Sequence, residues 1–102
     1  MPDDLPHPSR AEIRIEAVLH ALADPMRLHM VRELARLDTS VACGSIDLPI
    51  SKSTRTHHLR TLREAGVITV VPAGTTRMTT LRRADLDALF PGLLNGILAA
   101  ER

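Results

Sequence analysis

Residues 51–60 read SKSTRTHHLR, an uninterrupted run of short hydroxyl, histidine and basic side chains with one leucine. On a helix, positions i, i+3, i+4 and i+7 share one face. In this run those positions are held by Ser53, Thr56, His57 and Arg60. Short hydroxyls allow a helix to approach phosphates and base edges closely, a helix N-terminus favours a phosphate, and arginine can pair bidentately with guanine. The run therefore carries the side chains needed to read double-stranded DNA.

The same segment is a poor candidate for a purely structural helix. Only Leu59, Leu62 and Ala65 can anchor it to a core. Four hydroxyl residues, which are mediocre helix formers, crowd its first two turns. They are Ser51, Ser53, Thr54 and Thr56. We therefore interpret residues 51–65 as a recognition helix.

The charges of the chain are segregated along the sequence. Residues 51–83 carry seven basic side chains against the single acid Glu64, a net charge of +6, whereas the rest carries six basic and eleven acidic residues, a net charge of −5. A basic block inside an otherwise acidic chain indicates a polyanionic partner that is met by one face of the molecule. The plainer alternative is a solvated charged surface without a partner.

Two helices are predicted ahead of the recognition helix. A capping-box pattern at Ser9, followed by apolar residues at helical spacing, predicts a first amphipathic helix over residues 10–23. Asp24 followed by Pro25 is a second start signal, because aspartate caps free N–H groups and proline tolerates the first helical position. The second helix then runs to about Leu37.

A short strand and the recognition helix follow. Residues 40–43 can form the strand, and at most one helical turn fits between it and the next helix. Ser51 can cap the recognition helix, and Gly66 supplies a natural stop after it.

A β-hairpin and a last helix complete the chain. The β-branched run VITVV, the turn chemistry of PAGT and the alternation of RMTTL predict a hairpin over residues 67–81. Residues 84–100 are again helical in pattern, with an interruption at Pro91 and Gly92.

This order of elements predicts a mainly α fold with a β-hairpin wing, which is the winged helix-turn-helix arrangement. With 102 residues the chain can enclose one core, so residues 1–102 are expected to form a single domain. Residues 1–9 are expected to be a flexible N-terminal tail. The sequence has no apolar run of about 20 residues, and its N-terminus is acidic and interrupted by proline. Together with the single cysteine, these features lead us to expect a cytoplasmic protein.

Two segments of the sequence resemble the ArsR family of bacterial winged-helix repressors. Members of that family typically read ALADPTRLRIL and then LSQPTVSHHLKVLREAGLV. The matching segments here are ALADPMRLHMV at residues 21–31 and ISKSTRTHHLRTLREAGVI at residues 50–68. The likeness extends from Ile15 to Leu81. It implies a sequence-specific DNA-binding transcriptional regulator, usually a repressor, that binds an operator as a homodimer.

Carried over by motif position, the resemblance also implies which residues contact DNA. On the recognition helix they are Lys52, Ser53, Thr54, Thr56, His57 and Arg60. On the hairpin, Arg77 would reach the backbone or the minor groove, with Thr76 beside it.

The sequence departs from the family pattern in two places. The family usually has an apolar residue where Arg55 stands, and Arg55 either reaches towards DNA or pairs with an acid such as Asp47. Residues 44–49, GSIDLP, replace a longer first helix of the helix-turn-helix, which leaves the local geometry open.

No metal site and no cofactor are expected. Neighbouring helix residues point about 100° apart, so we expect His57 to face DNA and His58 to face the interior. Cys43 lies near the segment where arsenic- and cadmium-sensing relatives place several cysteines, but the chain has no second thiol. Other relatives use Asp and His on the last helix, which here offers Asp85 and Asp87 without a histidine. A metal-responsive repressor that uses Cys43 is the alternative.

The apolar face of the last helix is too wide for the single groove that a monomer of this size offers. We therefore predict a dimer seam built with the first helix, as the resemblance implies, so residues 10–23 and 84–100 are the dimerisation helices. The predicted interface residues are Leu86, Leu89, Phe90, Leu93 and Ile97. Two-fold symmetry would present two recognition helices to successive major grooves.

The sequence gives no support for an enzyme. A glycine-rich phosphate loop, a nucleophile motif and paired carboxylates on a common face are all missing from it. A winged-helix protein-interaction module without DNA binding is the remaining alternative, because a fold does not fix a function. Such a module would bind DNA weakly and independently of salt.

Overall fold

The computed structural model describes residues 5–100, with the side chain of Cys43 excepted. Within this range the chain forms five α-helices and three strands. They are α1 (Ile15–Leu22), α2 (Pro25–Leu37), β1 (Val41–Ala42), α3 (Lys52–Ala65), β2 (Ile68–Ala73), β3 (Thr76–Leu81), α4 (Arg83–Leu89) and α5 (Leu93–Ala99). Two single 3₁₀ turns, Arg10–Glu12 and Cys43–Ser45, lie between or before them. The predicted winged helix-turn-helix order is confirmed.

The first predicted helix is broken in two. Ser9 N–H donates to Glu12 Oε1 at 2.8 Å, as a capping box requires, but this bond starts only a 3₁₀ turn. The backbone is then extended at Ile13 and Arg14 before α1 begins. The break turns Ile13 into the core, where it is buried. The prediction of one continuous helix over residues 10–23 is therefore wrong for residues 10–14, which form a 3₁₀ turn and an extended break.

The second helix forms over the predicted residues. The Asp24 carboxylate accepts hydrogen bonds from the N–H groups of Met26 and Arg27 at 2.9 and 3.0 Å, and Pro25 fills the first helical position. α2 ends at Asp38, which adopts a left-handed conformation with φ of 52°. These terminal residues fix where the helix starts and stops.

The core lies between the first three helices and the inner face of the sheet. Its largest fully buried side chains are Val18, Met30, Val31, Leu34, Leu62, Val67, Ile68, Thr79 and Leu94. All but Thr79 are aliphatic or Met side chains, and removing such surface from water is the main force that holds a domain of this size together. Ile46 and Leu48 join the core and tether the loop that leads into α3. In the described loop between Ala42 and Ser51, a 3₁₀ turn takes the place of an α-helix.

The wing is a regular antiparallel hairpin. Val71 pairs with Met78 and Ala73 pairs with Thr76, and Gly74 makes the turn with a positive φ of 66°. β1 pairs with the other edge of β3, which gives the strand order β1-β3-β2. The hairpin over residues 67–81 is confirmed.

The last helical region is interrupted where the sequence predicts. α4 ends before Phe90, and α5 starts after Gly92, which has a φ of 83°. Proline and a left-handed glycine together prevent a continuous helix.

The segment before the first turn is held against the domain, which corrects the expectation of a flexible tail for residues 5–9. The Arg63 guanidinium donates to Pro6 O, and the Arg82 guanidinium donates to Pro8 O at 2.7 Å. Between them, Val70 N–H donates to His7 Nε2 at 3.0 Å. Three hydrogen bonds thus tie this segment to α3, to β2 and to the residue that follows β3. Residues 1–4 lie outside the described part of the chain.

None of the helices within residues 5–100 is long and apolar enough to cross a membrane.

Candidate nucleic-acid interface

A cleft of about 860 Å³ separates α3 from the wing. One wall is the side of α3 that carries Lys52, Arg55 and Leu59, and the other wall is the hairpin with Arg77 near its tip. Ser51 positions the helix, because its side chain accepts a hydrogen bond from Thr54 N–H at 3.2 Å and caps the N-terminus.

The structure divides the predicted DNA contacts into two groups. One group lines the cleft and consists of Lys52, Thr56, Arg60, Thr76 and Arg77. The other group lies on α3 outside the cleft lining and consists of Ser53, Thr54 and His57. All of these side chains are exposed, so each is available to a partner. A recognition helix that inserts into a groove needs both groups, because it meets base edges and backbone at once.

The hydroxyl groups of α3 already make bonds within the helix. Thr56 Oγ1 donates to Lys52 O at 3.0 Å, and Thr61 Oγ1 donates to His57 O at 3.1 Å. Each hydroxyl oxygen keeps lone pairs that can accept a hydrogen bond from a base amino group. Thr56, which is exposed, can therefore bind DNA as an acceptor without losing its bond to Lys52 O.

Arg60 is paired on the surface of α3. Its Nε lies 3.1 Å from Glu64 Oε2, and the side chains are 68% and 55% exposed. An ion pair this exposed contributes at most about 1 kcal/mol. Arg60 can therefore exchange Glu64 for a DNA acceptor at low cost.

Arg55 does not pair with Asp47. None of the ion pairs within residues 5–100 involves Arg55, and Asp47 is exposed. Arg55 is half-buried at the cleft, and its Nε is shut off from solvent without a hydrogen-bond partner among the described residues. Of the two alternatives left open by the sequence, pairing with Asp47 is wrong.

The two motif segments contact each other, which sequence reasoning missed. His58 is buried, as predicted, and its Nδ1 lies 3.1 Å from a guanidinium nitrogen of Arg27. Because a guanidinium only donates, Nδ1 is the acceptor, and the remaining ring nitrogen lies 3.9 Å from Asp24 Oδ2. Arg27 Nε also donates to Ala21 O at 2.6 Å, at the end of α1. Arg27 thus joins α1, α2 and α3.

This network fixes the orientation of α3 relative to α1 and α2. The hydrogen bond from Arg27 N–H, with a smaller contribution from the Arg27 charge, outweighs the raising effect of burial and lowers the pKa of Asp24. The aspartate therefore stays ionised as cap and as neighbour of His58. The sequence contains the DPMR stretch at residues 24–27 and the HH pair at residues 57–58. Neither pattern indicates by itself that the two segments are in contact.

No group of three His, Cys, Asp or Glu side chains that could hold a metal ion occurs among the described residues. The side chain of Cys43 lies outside the description. The predictions on metals therefore stay predictions.

One predicted interface residue is unavailable to a partner. Leu86 is 2% exposed and packs inside the chain's own core, because α4 lies against the domain. The other four, Leu89, Phe90, Leu93 and Ile97, are only half-buried. On α1, Ile15 and Leu19 are 43% and 46% exposed. Apolar surface on both predicted dimerisation helices is thus left uncovered in the single chain.

A core enclosed by α1, α2, α3 and the sheet, with one side of α3 exposed beside an antiparallel wing, defines a winged helix-turn-helix protein. The fold is similar to the crystal structure of the ArsR family transcriptional regulator RHA00566, with a TM-score of 0.66 and 19% sequence identity over 80% of this chain and 84% of that one. The resemblance to the ArsR family is confirmed in the fold.

Two relatives are similar in sequence. The chain is 32% identical over 79 residues to the HTH-type transcriptional regulator YceK of Bacillus subtilis. The aligned region covers 76% of this chain and 79% of the relative. It is 35% identical over 83 residues to the HTH-type transcriptional regulator Rv2034 of Mycobacterium tuberculosis. That aligned region covers 74% of this chain and 78% of the relative. No family model matches the chain. The protein belongs to the family of HTH-type transcriptional regulators.

Proposed function

We propose that the protein is a sequence-specific DNA-binding repressor that acts in the cytoplasm and binds its operator as a homodimer. The observation that carries this proposal is the basic cleft between α3 and the wing, with Lys52, Arg55 and Arg77 in its lining. Within residues 5–100, none of these three cations takes part in an ion pair. Their charge is therefore available to a polyanion.

In this proposal α3 enters the major groove. Thr56, His57 and Arg60 face base edges there, since hydroxyl, imidazole and guanidinium groups match the donors and acceptors of the bases. Lys52 contacts a phosphate near the N-terminus of α3, where free N–H groups favour an anion. Arg77 extends from the wing to the backbone or the neighbouring minor groove.

The homodimer is supported by apolar surface that a single chain leaves in water. Ile15 and Leu19 on α1 are more than two-fifths exposed, and Leu93 and Ile97 on α5 are half-buried. Joining two chains through α1 and α5 would cover this surface. Two recognition helices would then reach half-sites about 34 Å apart, which predicts an operator with two-fold symmetry.

We also propose that DNA binding does not respond to metals. The support is chemical, because the sequence has one cysteine and no histidine after His58. Four-coordinate metal sites in proteins draw most of their ligands from these two residue types.

The test is to incubate the purified full chain with fragmented genomic DNA of its source and to sequence the fragments that it retains, beginning with the region upstream of its own coding sequence. We expect a small set of enriched fragments and an affinity that falls as salt rises. The double variant Lys52→Ala/Arg77→Ala is the matched control and should enrich none.

Two outcomes would contradict the proposal. Weak binding that is insensitive to salt, without enriched fragments, would favour the protein-interaction module. A reporter gene placed behind an enriched fragment should be transcribed less when the protein is produced, and increased transcription would make the protein an activator.

A further inference from the structure

Arg55 lines the cleft between α3 and the wing together with Thr56 and Arg60, but unlike those two exposed residues it is half-buried. Of the residues proposed to read bases, only His57 lies outside the cleft lining, and Arg55 faces the wing across the cleft. The guanidinium Nε of Arg55 is shut off from solvent and has no hydrogen-bond partner among residues 5–100. An unpaired buried donor destabilises a folded chain, and an apolar side chain beside Leu59 and Val70 would avoid that cost.

The other arginines on this side of α3 are already engaged. Arg63 donates to Pro6 O, and Arg60 pairs with Glu64 at 3.1 Å. Of the three α3 arginines that line the cleft, Arg55 alone makes no hydrogen bond or ion pair through its side chain to any described residue. The N–H groups on its two terminal nitrogens, which are not shut off from solvent as Nε is, are therefore free for a ligand.

The geometry of B-form DNA says which part of the ligand reaches this residue. A single phosphodiester strand separates each major groove from the adjacent minor groove. A protein with α3 in one groove and the tip of the wing at the next must straddle that strand. The strand then passes through the cleft between α3 and the wing, where Arg55 faces it.

We propose that Arg55 is a phosphate-contacting residue whose guanidinium binds the DNA strand lying between α3 and the wing. A guanidinium suits this position because it can donate two parallel hydrogen bonds to one phosphate. The contact adds affinity without sequence preference. This inference rests on the proposed function, since it requires α3 to enter DNA.

The experiment compares the parent chain with Arg55→Met, Arg55→Gln and Arg55→Lys. Fluorescence anisotropy measures binding to a labelled duplex of random sequence, about three helical turns long, between about 50 and 200 mM salt. The control is Arg36→Met, which removes an equal charge from an exposed arginine that pairs with Glu33 on α2. Enriched genomic fragments are measured in parallel.

For Arg55→Met and Arg55→Gln we expect affinity to fall about tenfold per protomer, to a similar degree for random and enriched DNA. The slope of log K against log salt should become shallower by about one for each protomer. Arg55→Lys should keep the parent's slope, because it keeps the charge, and Arg36→Met should keep both slope and affinity. Thermal unfolding should show Arg55→Met to be at least as stable as the parent, since the unpaired buried donor is gone.

An unchanged slope in folded Arg55→Met or Arg55→Gln, with the parent bound to DNA, would overturn the inference and leave the proposed function standing. A loss confined to enriched fragments would overturn it as well, because the contact would then be to a base. If Arg55→Met does not fold, the slope of log K against log salt for Arg55→Gln tests the phosphate contact instead. A parent chain that binds neither DNA would instead overturn the proposed function.

Discussion

At the residue scale, the side chains of α3 separate into those that maintain the helix and those that project from it. His58 is buried against Arg27, whereas its neighbour His57 is exposed, with the two ring centroids 5.9 Å apart. Ser51 is used as a cap, and Glu64 holds Arg60 at the surface. The residues that remain free to meet DNA are thus fixed in place by residues that do not meet it.

Replacing Thr56 or Arg60 by alanine should weaken specific DNA binding and leave the fold intact. Both side chains are exposed, so their removal creates no cavity, and each lost base contact should cost about 1 to 3 kcal/mol of binding free energy. The measurement is affinity for an enriched fragment relative to a random duplex, with thermal unfolding as the check on folding. Parent-like affinity in both variants would contradict the recognition-helix assignment.

His7 should make stability sensitive to mild acid. Burial, together with the nearby Arg63 and Arg82 charges, lowers the pKa of His7 below its ordinary value of 6.5, against a raising hydrogen bond to Leu5. Well above pH 6.5 the imidazole is neutral in both folded and unfolded chains, so it adds no pH dependence there. As the pH falls below that value, the unfolded chain binds the proton first, and the free energy of unfolding decreases until the folded pKa is passed.

Urea unfolding at a series of pH values checks this expectation. His7→Gln should lose less stability than the parent on acidification from pH 6.5, while the control His57→Gln, at an exposed position of α3, should follow the parent. The carboxylates whose pKa is lowered, such as Asp24 and Asp85, act only in more acidic solution, because their ordinary value is 3.8. Equal pH dependence in His7→Gln and the parent would rule out the assignment.

Metals should leave DNA affinity unchanged. Zinc, nickel, cobalt and arsenite find one thiol, Cys43, and no histidine on the last two helices. DNA binding measured with and without each ion tests this expectation. Stoichiometric metal binding that releases DNA, and that disappears in Cys43→Ser, would establish the metal-responsive alternative.

At the element scale, the end of α3 depends on a close approach between two distant segments. Gly66 ends the helix with a φ of 87°, and a Cβ built there would lie 2.5 Å from Ile13 Cγ1. Only glycine satisfies both demands, because it tolerates positive φ and has no side chain. Ile13, the residue that packs against Gly66, belongs to the extended break between the first 3₁₀ turn and α1.

Gly66→Ala should therefore lower the free energy of unfolding by about 2 to 4 kcal/mol, from backbone strain and overpacking together. Gly74→Ala is the matched control, since its φ is also positive at 66° but a Cβ added there would have nothing within 4 Å. The control should lose only the strain, about 1 to 2 kcal/mol. Equal losses in urea unfolding would mean that the contact with Ile13 adds nothing.

At the scale of the whole molecule, DNA binding should be coupled to a dimer seam that never touches DNA. Leu93 and Ile97 stand four residues apart on α5 and share a face. Covering a Leu or Ile side chain contributes about 1.5 to 3 kcal/mol, counted twice in a symmetric interface. Leu93→Glu/Ile97→Glu should split the dimer and make the salt dependence of DNA affinity about half as steep.

Light scattering for mass and the slope of log K against log salt measure both parts of this expectation. Because both residues also pack against the core, Ile15→Glu/Leu19→Glu on exposed α1 tests the seam with less risk to folding. Leu37→Glu, at an exposed position of α2, is the control and should stay dimeric. A monomeric variant that keeps the parent's salt slope would show that DNA binding is not coupled to dimerisation. Seam variants that stay dimeric would show that the interface lies elsewhere on the chain.

The amino-acid sequence by itself determined the elements whose signals are local. Asp24 and Pro25 start α2, Ser51 and Gly66 bound α3, and alternation with a glycine turn makes the wing. Caps, turns and periodic patterns act within a few residues, so they can be recognised without knowing the fold. The motif segments added the winged-helix arrangement and the residues expected on the DNA-facing side.

Tertiary structure alone decided the features that depend on contacts between distant residues. Residues 5–9 are held by bonds to partners 57, 63 and 74 positions away, so no local pattern distinguishes them from a free tail. The hydrogen bond between Arg27 and His58, which are 31 positions apart, also depends on tertiary contacts, and so does the burial of Leu86. Such contacts form only when the core brings the segments together, and a sequence pattern does not record which apolar or charged groups then face each other.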